Sequence, residues 1–104
     1  MKTGVCLALV VVISACIPAV TYTHTAESTF ATKPRDCEFR IQSTIPSPEE
    51  YIELGTLNGC QGTTDMSAYK ERVREKVCGA GGDLVVGQVN GYGVYCLGVV
   101  FKKK

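Results

Sequence analysis

Residues 65–101 read DMSAYKERVREKVCGAGGDLVVGQVNGYGVYCLGVVF, and the periodicities within them decide the fold. Met66, Tyr69, Val73, Val77 and Ala80 recur at spacings of three and four, which places them on one stripe of a helix. Thr64 or Asp65 can cap its start, because a short side-chain oxygen there accepts from the unpaired amides of the first turn. Gly79, Gly81 and Gly82 end it. Lys70, Glu71, Arg72, Arg74, Glu75 and Lys76 cover the remaining surface, and their mixed sign predicts a solvated face, not a nucleic-acid surface. Cys78 falls off the apolar stripe in the last turn, a position suited to a bond with something flanking the helix. Leu84 to Val89 follows as a strand. Asn90-Gly91 is then a strong hairpin signal, and Tyr92 to Phe101 returns as the next strand. One of Tyr92 and Tyr95 is expected to pack on the sheet.

Upstream, Cys37, Phe39 and Ile41 alternate with Glu38, Arg40 and Gln42, the period-2 pattern of a strand with one buried face. Residues 45–50 form a break with the makings of one helical turn, since Ser47 can cap and Pro48 suits the first helical position. Tyr51 to Leu57 reads as a second strand interrupted by Gly55, which marks a bulge or a close backbone approach. The order strand, strand, helix, hairpin predicts an α+β domain over residues 36–104. Its sheet is small and mostly antiparallel, with about four strands and one packed helix. No G-x-S-x-G, H-E-x-x-H, Walker loop or strand-borne G-x-G-x-x-G occurs. Glu49, Glu50, Glu53 and Asp83 offer no spacing that selects a catalytic pair. The expectation is a domain that is not an enzyme, with no cofactor, no small-molecule substrate and no nucleic-acid partner.

The whole chain has 104 residues, 11 Lys+Arg against 10 Asp+Glu, six Cys and a single His, which suits one small domain. Its 45% hydrophobic content is inflated by the start of the chain. Lys2, the apolar run Val5 to Ile13 and the small residues Ser14 and Ala15 have the layout of a signal peptide over residues 1–15. The run falls short of the about 20 residues that cross a bilayer, and Pro18 closes it. Ile13-Ser14-Ala15-Cys16 resembles the lipobox of bacterial lipoproteins. That resemblance implies that Cys16 becomes the mature N terminus, carries diacylglycerol and a palmitate-type acyl chain, and anchors the chain to a membrane. Ile17, where Asp often marks retention at the inner membrane, leans the reading towards an outer-membrane protein facing the periplasm. The competing reading is an ordinary secretory signal cut later, for example after Ala26. Residues 16–35, rich in Thr and without a sustained period, are expected to form a flexible tether. His24 falls in that tether as a solvated residue, so no histidine is expected within the domain.

With Cys6 and Cys16 set aside, Cys37, Cys60, Cys78 and Cys96 remain, an even number in an exported protein, and two disulfides are expected. Three pairings are possible. The favoured one is Cys37–Cys78 with Cys60–Cys96, because an inward strand residue can reach the helix end while the loop after the second strand can lie beside the last. The competing reading is a secreted or periplasmic metal-binding domain using the four Cys. Their separations of 23, 18 and 18 residues do not form the close ligand pairs typical of zinc sites.

YIELGTLNG at 51–59, YKERVREKVCGAGGDLVVGQV at 69–89 and the closing YCLGVVFKKK at 95–104 form a pattern similar to YbjQ-type domains. The lipobox, polar stretch and four later cysteines also resemble the RcsF-type outer-membrane envelope-stress lipoproteins. Leu54-Gly55, Gly81 to Gly87 and Cys96-Leu97-Gly98 carry the likeness, while Cys37 and Cys78 depart from that family's positions. The resemblance implies a lipoprotein with one helix on a sheet, two disulfides between distant elements, and a binding, structural or stress-sensing role towards an envelope partner.

Overall fold

In a computed structural model, residues 19–104 are described. Residues 1–15, read above as a signal peptide, and Cys16, read as a lipidation site, lie outside them.

Five strands and one helix make up the domain: β1 Thr21–His24, β2 Arg40–Gln42, β3 Tyr51–Asn58, α1 Met66–Ala80, β4 Leu84–Val89 and β5 Tyr95–Lys103. The strands form one mixed sheet in the order β1-β3-β5-β4-β2. β1, β3, β5 and β4 pair antiparallel, and β2 pairs parallel with β4, Arg40 opposite Leu84. The expected α+β class holds, with five strands where about four were anticipated.

The helix starts where its cap predicts. Asp65 is the N-cap, and its carboxylate accepts from the Ala68 amide at 2.9 Å. Gly81 ends it in the left-handed conformation (φ 81°), which releases the chain into β4. Tyr69, Val73 and Val77 are fully buried against Leu54, Leu57, Val85 and Val100 on the facing sheet surface. At the centre, the Tyr69 ring stacks on Tyr95 with centroids 4.9 Å apart and lies over Gly87 and Gly98. Two strands without side chains at those positions leave the notch that a tyrosine fills. Leu84, Val86 and Phe101 form a second apolar cluster on the other face, with Tyr51 and Val99 against it. No described helix is long and apolar enough to cross a membrane.

Gly55 interrupts β3 as its position predicts. The register against β5 shifts between Glu53 and Gly55, and a Cβ at Gly55 would meet the Thr23 carbonyl at 2.3 Å. Ser47 also behaves as expected: its hydroxyl accepts from the Glu49 amide, and its carbonyl from Glu50 and Tyr51. The β4–β5 turn is longer than the expected two-residue hairpin. Gly93, not Gly91, takes the positive φ of 80°, the Gly93 amide bonds the Asn90 carbonyl, and the Asn90 side chain accepts from Tyr92 and Val94. Asn90 thus serves as the side-chain organiser of a three-residue loop. Of the two tyrosines, Tyr95 is buried and Tyr92 is 88% exposed.

The largest departure from expectation is the segment read as a tether. Thr21 to His24 pairs with Asn58 to Gly55 as an edge strand, and Val20 is buried. Ala26 and Phe30 pack against the core, and the Leu54 carbonyl accepts from the Thr25 and Ala26 amides. β3 would otherwise present an open edge, and a Thr-rich segment with Val20, Tyr22 and His24 on alternate positions is a good β-former that closes it. His24 therefore belongs to the folded domain. Replacing Tyr69 by Ala should lower stability by roughly 3–5 kcal/mol, because it empties the notch over Gly87 and Gly98. Urea unfolding checks this, and a loss below about 1 kcal/mol would show that the helix docks by other contacts.

Candidate functional site

The C-terminal end of α1 is where the arm that follows β1, residues 25–35, meets the helix and the charged end of the sheet. The last carbonyls of a helix lack partners within it, and here the arm supplies them. The Lys33 amide donates to the Cys78 carbonyl at 2.9 Å, and the Thr32 hydroxyl to the Gly79 carbonyl at 3.0 Å. Gly81 lets the arm pass, since a Cβ there would lie 2.6 Å from the Ala31 carbonyl oxygen. Lys33 Nζ continues to the Gly82 carbonyl at 2.9 Å and to the Asp83 carboxylate.

Asp83 is the hub of this clasp. Its second oxygen accepts from the Lys103 amide at 2.8 Å and lies 3.8 Å from Lys102 Nζ. Burial alone would raise the Asp83 carboxyl. The hydrogen bonds from Lys33 and the Lys103 amide, with the charges of Lys33 and Lys102, outweigh it and hold the carboxyl below its ordinary 3.8. Lys102 is thus tied into the fold, and it also sits 5.6 Å from the Phe30 ring centroid.

The helix face expected to be solvated is only partly so. Lys70 and Arg74 lie over the Phe39 ring at 5.3 and 5.4 Å from its centroid and reach Glu38 at 3.4 and 3.8 Å. Arg74 also donates to the Cys37 carbonyl, and Arg72 to the Gln61 carbonyl. These contacts draw residues 37–39 along the flank of α1, so Cys78 is fully buried although it lies off the Tyr69–Val73–Val77 stripe. Cys37 and Phe39 precede the regular strand, which covers only Arg40–Gln42.

All four domain cysteines are paired, Cys37 with Cys78 and Cys60 with Cys96, across sequence separations of 41 and 36. The first bond secures the last turn of α1, and the second the loop before its first turn. A 15-residue helix about 22 Å long lies between them. Sulfurs bonded in this way have no thiolates to offer one metal ion, so the four-cysteine metal site would require both bonds to be reduced.

Between the arm and α1 runs a groove of about 560 Å³, lined by Tyr22, Thr32, Lys33, Arg35, Lys76 and Ala80 among others. Lys33 and Arg35 meet carboxylates, Asp83 and Glu75, the latter at 3.3 Å. At its far side the Tyr22 hydroxyl lies 2.9 Å from His24 Nδ1, and His24 Nε2 lies 2.8 Å from the Ser28 carbonyl. A carbonyl only accepts, so Nε2 carries the hydrogen in the neutral ring and Nδ1 accepts from Tyr22. Burial raises the Tyr22 hydroxyl, and burial together with Tyr95 pushes Tyr69 up to about 12, so both phenols stay neutral. The groove is not legible in the sequence as long as residues 16–35 read as a tether, because β1 and the arm form one wall of it. The alternation of Val20, Tyr22 and His24 with Thr21, Thr23 and Thr25 was the available signal.

No known family matches the chain, and no curated protein or solved structure is detectably similar to it.

Two outcomes follow. Replacing either cysteine pair by Ser should cost about 4 kcal/mol from the loop-closure entropy of the unfolded chain, read from the urea midpoint. Because the folded-state Asp83 carboxyl is lowered, its contribution is complete above the ordinary value of 3.8 and is lost as pH falls below it. Stability measured between about pH 5 and pH 2 should therefore fall less steeply in Asp83→Asn than in the parent protein, from a lower starting value. Parallel pH profiles would contradict the clasp.

Proposed function

We propose that the chain is an exported cell-envelope protein, held by a lipid on Cys16 and facing the periplasm from the outer membrane. Its disulfide-stapled domain acts as a non-catalytic binding, structural or stress-sensing module. The observation that carries this reading is that the four domain cysteines pair only with one another, downstream of Ile13-Ser14-Ala15-Cys16. Disulfides persist in oxidising compartments, which agrees with an export signal, and neither bond draws on the cysteine of the lipobox-like segment. Three groups whose protonation is shifted are each occupied in structural contacts. Asp83 clasps the arm, Tyr69 fills the core, and Glu71 pairs with Arg74 on the helix surface. The groove beside Tyr22 and Lys76 supplies the concave surface a binding module needs for a partner in the envelope.

Mass analysis of protein extracted from membranes should give an N-terminal peptide that begins at Cys16 and carries the diacylglyceryl and acyl additions. Cys16→Ser should move the protein to the soluble fraction. An unmodified N terminus beyond Cys16 would overturn the anchor.

A further inference from the structure

The chain enters the domain at one particular end of the sheet. Thr21 opposes Asn58, and Ala19 and Val20 lie beside Gly59, within 3.2 and 3.6 Å of where its Cβ would stand. The same end holds the loop 59–64 and the β4–β5 hairpin tip. These are joined by the Gly59 amide to the Cys96 carbonyl, the Gln61 amide to the Tyr95 carbonyl, the Tyr95 amide to the Thr63 carbonyl, and the Cys60–Cys96 bond.

This end has a distinct composition. Residues 54–64 and 84–101 contain no Asp, Glu, Lys, Arg or His. Asp65 and Arg72 at its margin are occupied with the helix cap and the Gln61 carbonyl. Val89 and Tyr92 stand exposed there, at 51% and 88%. The opposite end carries Glu49, Glu50, Asp83 and Lys102 to Lys104, joined by the Lys104 amide to the Glu50 carbonyl.

Buried Val20 lies only four positions after Cys16 in the chain, a span of at most about 14 Å. On the reading that Cys16 is lipidated, we propose that the uncharged end, loop 59–64 and hairpin tip 89–94, lies on the headgroup region of the same bilayer. Tyr92 and Val89 enter the interface. A tyrosine suits that position because its ring is apolar and its hydroxyl remains hydrated, and the absence of charge removes the desolvation cost of approach. The charged end and the rim of the arm groove face away from the lipid.

The chain has no Trp, so one introduced Trp reports its own depth. Lipidated full-length Tyr92→Trp and Glu50→Trp proteins, each with its N-terminal lipid confirmed by mass, are placed in phosphatidylethanolamine–phosphatidylglycerol vesicles with brominated acyl chains. Both sites are exposed, so neither change disturbs the core. Bromine should quench Trp at 92 at least about threefold more than Trp at 50, with aqueous acrylamide showing the reverse order. Equal quenching at both sites in lipidated protein overturns this orientation and leaves the anchor standing. Absence of the lipid overturns both.

Discussion

Two covalent bonds decide where α1 can lie. Among the described residues it is the one helix over its sheet face, and three side chains, Tyr69, Val73 and Val77, make most of its buried stripe. A domain of this size buries a modest fraction of its unfolded surface, so apolar burial alone leaves little margin. Cys37–Cys78 fastens the last turn, and Cys60–Cys96 fastens the loop leading to the first. Once both ends are held, the Tyr69 ring is carried to the notch over Gly87 and Gly98, and the arm has a fixed helix terminus on which to settle.

The arm then does what a longer helical layer does in larger domains. β1 pairs the open edge of β3, and the arm donates hydrogen bonds to the helix's last carbonyls and closes on the Asp83 clasp. A lipid on Cys16 would hold such a domain at the bilayer, not at the end of a long leash. Recognition would then be confined to partners near the membrane, with the groove between arm and helix turned towards them.

The elements read most directly from sequence were those with local signals. Asp65 and Gly81 bound a helix whose apolar spacing is regular, Gly55 marks a real bulge, and the paired cysteines match the favoured connectivity. Contacts between segments distant in sequence escaped. The parallel pairing of β2 with β4 leaves no local trace, and Cys78 is buried by residues 37–39, which a helical wheel cannot show. β1 and the arm do not show in the composition, because threonines are polar by composition but favour strands by shape. Half of the candidate site, Tyr22, Thr32, Lys33 and Arg35, lies in β1 and the arm. The turn at Asn90 was located correctly, while its form depended on a side chain bonding its own backbone.

The most direct test of this account is a disulfide map of the native protein, digested without reductant after alkylation of any free thiol. Two cross-linked peptide pairs are expected, one joining Cys37 to Cys78 and the other Cys60 to Cys96, with no alkylated cysteine among these four. A bond between Cys37 and Cys60, or free thiols at these positions in native protein, would contradict it.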